Sequence, residues 1–402
     1  MDPVLNPFSP GAGARPPILA GRSRIVDEAV IALRRALIGR HFRSMLFLGL
    51  RGTGKTVLLN ELSNQARDLG FLVSRLEVPE RANLAKMLYP EMRKIFRSLS
   101  NFERAKDLAS QGLTALRNFA SMFHIEIGGV DIGIEPAPDA LDRGDLQTDL
   151  PDLFEAIGLA ARAAGKGWVI SLDEVQYLSE EDLSALLVSL HRVSQTNVPV
   201  VLMGAGLPQL ARLAGEAKSY AERLFRFYNI GALDVDAATA AIQKPIEEIR
   251  EIGASITDDA LKAIVTGTKG YPFFLQHWAA CAWDIATGPE ISAQDVQDAW
   301  REAIEMLDNG FFRVRLDRLT KSELKYCMVM ASLGEGPYAT GKIAKLMGKD
   351  AQQLGPQRAS IISKGMIYST SHGYVDFTVP LFAEFMRRHH LEADYGSKSS
   401  TG

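Results

Sequence analysis

Eight consecutive residues carry the most legible chemistry in this chain: Gly49-Leu-Arg-Gly-Thr-Gly54-Lys55-Thr56. Their spacing is G-x-x-x-x-G-K-[ST], the phosphate-binding P-loop. Glycines let backbone N–H groups close around phosphate oxygens, where a side chain would obstruct them. The N-terminus of the helix that follows adds partial positive charge. The pattern predicts that Gly49, Arg51, Gly52, Thr53, Gly54, Lys55, Thr56 and Val57 line a bound ATP. Lys55 is expected at the β- and γ-phosphates and Thr56 on Mg²⁺. A second group is Asp173-Glu174, directly after the apolar run Trp168-Val-Ile-Ser-Leu172. At the end of a buried strand, such a pair predicts that Asp173 orients the metal and Glu174 activates the attacking water as general base. Gln176, one step further, reads either as a hydrogen-bond partner of the γ-phosphate or water, or as a surface glutamine.

These groups need a scaffold. Met45-Leu-Phe-Leu48, Phe71-Leu-Val-Ser-Arg-Leu-Glu-Val78, Trp168–Leu172 and Val198-Pro-Val-Val-Leu-Met203 read as buried strands. Helical patterns separate them, over about 26–38, from 57 onward, over 84–119 with a break near 98–101, over 150–164 and over 183–194. Alternating strands and helices predict an α/β P-loop NTPase domain, a parallel sheet with helices on both faces. Ile125–Ile134 alternates around Gly128-Gly129, which predicts a hairpin within an 80–150 insertion outside the main sheet. Residues 1–22 hold five prolines and three glycines and predict an extended arm. Residues 23–232 are then the ATPase domain and 233–310 an all-α lid. A C-terminal module spans 311–390, with a disordered tail over 391–402.

Taken together, Gly21-Arg22, the P-loop, the Asp-Glu pair and Gly270-Tyr-Pro-Phe-Phe-Leu-Gln276 resemble the origin-recognition-complex-like AAA+ and STAND ATPases of bacteria and archaea. The close pattern, with Gly204-Ala-Gly-Leu-Pro-Gln-Leu210 and Asn309-Gly-Phe-Phe-Arg313, is similar to a widespread bacterial group of ATP-binding proteins. The resemblance covers about 18–390. It implies that Gly21 and Arg22 lie beside the adenine and that Pro272 opens a lid helix near the nucleotide. This stretch carries no arginine where many AAA+ lids place a second sensor. The strand ending at Met203 is followed by no polar side chain before Gln209, where AAA+ ATPases usually carry a γ-phosphate sensor. Either backbone groups take that role or hydrolysis is slow. Arg223 and Arg226 sit where the family carries an arginine finger, which acts from a neighbouring subunit and implies a homo-oligomer. The alternative is an amphipathic helix with its basic residues on the wet face.

Thr320 and Glu323 spell a capping box. Helical patterns over 340–347 and 351–363, then Met366–Phe377 with a turn at His372-Gly373, predict helix-turn-helix plus hairpin, a winged helix. If it binds double-stranded DNA, Lys349, Gln357, Arg358, Lys364 and the wing residue His372 are the candidate contacts. Pro356 restricts the helix start to about Leu354 or Gly355, taking Gln352 and Gln353 off it. Beyond Phe311 there are 13 Lys+Arg against 8 Asp+Glu, while the whole chain carries −3. A basic end suits DNA; a module holding a protein partner is the competing class. With 47% hydrophobic and 23% charged residues the chain reads as globular. Two cysteines in helical patterns and no run long enough to span a bilayer predict a cytoplasmic protein with no membrane contact.

Overall fold

The computed structural model describes residues 1–11, 13–125, 144–249 and 253–388. The expected hairpin at 125–134, apart from Ile125, and the tail at 391–402 lie outside the described residues.

The first unit is a five-stranded, wholly parallel sheet. Its strands are β1 (Ser44–Leu48), β2 (Phe71–Glu77), β3 (Gly167–Asp173), β4 (Val200–Gly206) and β5 (Phe225–Asn229), in the order β2-β3-β4-β1-β5. Side chains alternate between two cores, as the strand period of two requires. Met45, Phe47, Val169, Val201 and Met203 pack against α1 (Ser23–Leu37) and α2 (Lys55–Asp68). Leu46, Leu48, Trp168, Ile170 and Leu202 face the other side. There they meet α3 (Leu84–Leu99), α4 (Lys106–Met122), α5 (Leu146–Ala163) and α6 (Glu180–Thr196). Burial on both faces explains why the central strands read as unbroken apolar runs. The break near 98–101 is a real one between α3 and α4. Helix α5 begins four residues earlier than its apolar pattern, because Asp145 caps it by accepting from the Gln147 N–H.

Strand β5 is absent from the sequence reading. Tyr220–Phe227 is not one amphipathic helix. After α7 (Leu210–Ala217), the four-residue α8 (Ala221–Leu224) hands over directly to β5, which pairs with β1 from Ser44↔Phe225 to Leu48↔Asn229.

The second unit comprises α9 (Val235–Glu248), β6 (Ser255–Ile256), α10 (Asp258–Gly267), α11 (Pro272–Ile285), β7 (Glu290–Ile291) and α12 (Ala293–Met306). It is helical except for one parallel pairing, β6 with β7, a correction to the all-α expectation. Helix α12 continues through a π-helical turn, Leu307–Phe312, into α13 (Arg313–Leu316), so the chain does not break at 310.

The third unit is α14 (Lys321–Ser332), β8 (Tyr338–Ala339), α15 (Thr340–Leu346), α16 (Gly355–Ser363), β9 (Ile367–Ser371) and β10 (Tyr374–Phe377). Its strands form an antiparallel sheet in the order β8-β10-β9. Both halves of the Thr320/Glu323 capping box are present. Cys281 and Cys327 are buried free thiols.

The N-terminal arm is docked along α11. The Trp283 indole donates to the Asp2 carbonyl at 2.9 Å, and the Asn6 amide donates to the Ala280 carbonyl and the Asp284 carboxylate at 3.1 and 2.8 Å. Phe8 is buried there, and the Ser9 N–H donates to Gln276.

Candidate nucleotide site

The P-loop connects β1 to α2 at the carboxyl ends of the strands. Gly52 and Gly54 hold φ of +83° and +88°, left-handed values that L side chains rarely adopt. The space around them differs. A Cβ on Gly52 would press within 3.1 Å of Phe273 and 3.2 Å of Tyr271, whereas nothing lies within 4 Å of one on Gly54. Gly49 serves packing: its Cβ would fall 2.1 Å from the Ile230 carbonyl, and its N–H bonds the Gly206 carbonyl at 3.0 Å. The loop is braced internally, with Thr53 Oγ1 and Lys55 Nζ both donating to the Leu50 carbonyl at 2.9 and 2.8 Å. Lys55 is buried, and desolvation lowers its pKa against the opposing pull of Glu174 and Asp173.

β3 pairs in register between β2 and β4, and this delivers Asp173 to the loop. Thr56 Oγ1 donates to Asp173 Oδ2 at 2.5 Å, and the Glu174 N–H donates to Asp173 Oδ1 at 2.9 Å. Burial raises the Asp173 pKa, opposed by the Thr56 bond. Glu174 holds φ of +54°, a left-handed backbone on a non-glycine residue in the cleft.

Gln176 is half-buried and bonded within the fold. Its Nε2 donates to the Glu174 carboxylate, and its Oε1 accepts the Leu207 N–H at 3.0 Å. A Cβ on Gly206 would lie 2.5 Å from that same Oε1. At the end of β4 the Gln176 amide, from the turn that follows β3, fills the space a side chain on Gly206 would take.

The cleft above the loop, of about 270 Å³, is lined by Arg51–Val57, Arg22, Glu174, Pro272, Phe273 and Gln276. Its outer wall is the N-terminal arm from Ser9 to Ala20, anchored on α2 by an Arg15–Glu61 ion pair at 3.1 Å. Arg22 donates to the Gly231 carbonyl at 2.6 Å. Gly21 packs beside it against Ala237. The Tyr271 hydroxyl donates to the Arg51 carbonyl at 2.6 Å and the Phe273 N–H to the Gly52 carbonyl at 3.2 Å, so the second unit holds the P-loop directly.

Thr56 and Asp173 offer a hydroxyl and a carboxylate, a hard oxygen set that suits Mg²⁺, which takes few protein ligands and completes its shell from water and phosphate. Among the described residues, no group of three or more His, Cys, Asp or Glu that could hold a metal ion occurs.

Several predicted site residues lie elsewhere. Arg223 is exposed at the end of α8 and does not line the cleft. Arg226 lies in β5, ion-paired with Glu28 at 2.7 Å and 5.4 Å from the Tyr228 ring centroid. Both are remote from the P-loop of their own chain. In the third unit, Lys349 and His372 are exposed and Arg358 is half-buried. Gln357 and Lys364 make internal contacts. Gln357 donates to the Ser322 carbonyl at 2.5 Å, and Lys364 is ion-paired with buried Glu323 at 2.6 Å. Both brace α16 against α14. Gln352 and Gln353 sit in the turn before α16, as Pro356 required.

One contact had no sequence signal. The Arg51 N–H, inside the P-loop, donates to the Thr378 carbonyl at 3.1 Å, just beyond β10. The Arg51 guanidinium donates to the Tyr177 hydroxyl at 2.7 Å, and both tips rest on Gly365. Arg318 pairs with Glu80 to form a second bridge to the sheet unit.

A five-stranded parallel sheet flanked by helices, with a glycine loop after β1 and an acidic pair at the end of β3, is a P-loop NTPase-like fold. Residues 18–203 match the AAA ATPase domain family. Residues 309–386 match a domain of unknown function (DUF8462). No curated protein matches the sequence. Among solved structures, the Walker-type ATPase PABY2304 of Pyrococcus abyssi is 15% identical with a TM-score of 0.52, covering 93% of this chain and 97% of that one. The Aeropyrum pernix ORC1 protein in complex with DNA is 16% identical, with a TM-score of 0.44 and coverage of 94% and 95%. The Thermotoga maritima RuvB Holliday junction branch migration motor is 16% identical, with a TM-score of 0.44 and coverage of 90% and 95%. At 15% identity the likeness to the Pyrococcus abyssi protein is one of fold alone. Among the described residues, no helix is long and apolar enough to cross a membrane.

Proposed function

We propose that this chain is an ATP-driven molecular switch that hydrolyses ATP slowly and reports nucleotide state through its C-terminal module. The observation that carries this reading is the Arg51 N–H bond to Thr378, which joins the P-loop itself to that module. In this scheme the backbone amides from Gly52 to Thr56 hold the phosphates, with Lys55 balancing their charge. Gly21, Arg22 and Val57 shape the base end, and Pro272 opens the lid helix α11 over it. Mg²⁺, held by Thr56 and Asp173, supplies charge neutralisation across the phosphates when bound. Glu174 takes a proton from the attacking water. The Gln176 amide orients its carboxylate and also occupies it, which supports slow turnover.

The order helix, strand, helix, helix, strand, strand in the third unit supports a winged helix. Its proposed target is double-stranded DNA, met by Lys349, Arg358 and His372 around α16, with exposed Lys342 and Lys345 beside them. The internal roles of Gln357 and Lys364 favour a second reading, a STAND-type signalling ATPase whose module holds a protein partner. Arg223, exposed and outside its own cleft, is the proposed finger for a neighbouring copy. Two buried free thiols support a reducing cytoplasm.

The test is ATP turnover with and without duplex DNA, together with duplex binding at increasing salt. Binding whose logarithm falls linearly with log salt, at a slope near −0.9 per phosphate contacted, and which weakens in Arg358→Glu, is the expected result. Binding without a salt slope, or none, would remove DNA as the target and leave the partner reading. Absence of any ATP turnover would remove the switch as an enzyme.

A further inference from the structure

Arg315 is a half-buried cation without a counter-ion among the described residues. It lies in α13, the joint between the second and third units, and lines the same cleft as Lys55 and Glu174. Its Nη1 donates to the Phe311 carbonyl at 2.7 Å, and its guanidinium lies 3.8 Å from the Phe311 ring centroid. Phe311 in turn stacks on Phe273, centroids 5.0 Å apart, at the wall of the cleft. Two stacked rings thus hold the arginine in one direction. Among the described residues it has no carboxylate partner, although its neighbours do: Arg318 is paired with Glu80 and Arg388 with Asp308. Burial, then repulsion from Arg51 and Arg318, pushes its pKa down to about 10. Arg51, also in the cleft, has a buried Nε with no hydrogen-bond partner. Guanidinium groups left crowded, desolvated and unpaired are satisfied by an anion with several oxygens, to which they bond in a planar fork.

We propose that Arg315, with Arg51 beside it, binds the terminal phosphate of a nucleoside triphosphate from within the same chain. The site is distinct in origin from the P-loop lysine and from the exposed Arg223. Its location makes it a reporter: α13 leads into α14, and Arg51 is bonded to Thr378. Loss of the terminal phosphate therefore releases two points at which the C-terminal module is held.

This assignment rests on the reading of the cleft as an ATP site, and one titration separates the two. Affinities for a non-hydrolysable ATP analogue and for ADP are measured by calorimetry on wild type, Arg315→Ala and Arg315→Lys, with a thermal melt of each variant. Arg315→Ala is expected to lose about 10- to 100-fold in affinity for the triphosphate and less than about threefold for ADP. Arg315→Lys, which keeps the charge but not the fork, should fall between wild type and Ala, and it carries the test if the alanine variant melts early. Equal losses for both nucleotides, or none, would overturn the assignment while leaving ATP binding intact. A wild type that binds neither nucleotide would overturn the ATP reading along with it.

Discussion

Gly365→Ala tests whether the C-terminal module is coupled to the P-loop through Arg51. Gly365 has φ of +64°, and a Cβ there would lie 2.7 Å from Arg51 Nη2 and 2.8 Å from the Tyr177 hydroxyl. Two penalties follow. Holding alanine in the left-handed region costs about 1 kcal/mol. The Arg51 tip can swing aside, so the second penalty is not a rigid clash but loss of a charge-assisted hydrogen bond, about 1.5–3 kcal/mol. Only the second acts on docking. It raises the undocked population by about 10- to 100-fold, since 1.4 kcal/mol is a factor of ten. The Arg51 amide gives a direct readout, because its acceptor is the Thr378 carbonyl across the interface. Hydrogen exchange of a peptide covering 49–56 should accelerate by that factor at this one amide. Gly373→Ala is the control: φ is +77° and nothing lies within 4 Å of its Cβ, so it carries the backbone penalty alone. It should change exchange at Arg51 by less than about threefold. Equal acceleration in both variants, or none in either, would refute the coupling.

Other outcomes follow from the same geometry. Glu174→Gln should lower kcat by about 10²- to 10⁴-fold while ATP binding persists, read by single-turnover kinetics; unchanged turnover would remove Glu174 as the base. Arg223→Ala should abolish any rise of specific ATPase activity with protein concentration, whereas Arg226→Ala, already paired with Glu28, should leave that dependence in place. Glu323 is pressed upward by burial, but bonds from Lys364, Ser360 and Thr320 win and bring its pKa to about 2. Its stabilising contribution is therefore complete above about pH 4.3 and drains away as pH falls toward 2. Thermal melts over that range should lose a component that Glu323→Gln lacks; identical pH slopes would count against it. Lys364→Met at neutral pH leaves the buried carboxylate unpaired and should destabilise by about 3–5 kcal/mol in chemical denaturation.

The three central strands were legible because each is buried on both faces and reads as an apolar run, and the edge strand β2 was legible because its seven residues still begin on the run Phe71-Leu-Val. β5, the other edge, was not, because Phe225, Phe227 and Asn229 alternate with Arg226 and Tyr228 over only five residues. The preceding Tyr220–Leu224 favoured a helix. The bare end of β4 was misleading for a different reason. A missing polar residue at one position says nothing about a glutamine that reaches the same space from the turn after β3, and only the pairing of β3 with β4 brings the two together. Likewise, Lys364 and Gln357 look like surface cations and amides in a one-dimensional pattern, and their partners lie 41 and 35 residues away.

The chain's own letters determine the phosphate loop, because its chemistry is local. Eight residues set the backbone conformation, the dipole and the lysine, and a strand before and a helix after complete the context. The Asp173-Glu174 pair is nearly as local, since it needs only the end of a buried strand. What the cleft is enclosed by, and what it speaks to, belongs to the tertiary structure. The arm at Ser9–Ala20, Arg315 on its aromatic stack and the Thr378 carbonyl on the P-loop come together from segments up to several hundred residues apart. No short pattern encodes such contacts. Each exists only because units distant in sequence bury apolar faces against one another and leave these polar groups in the seam.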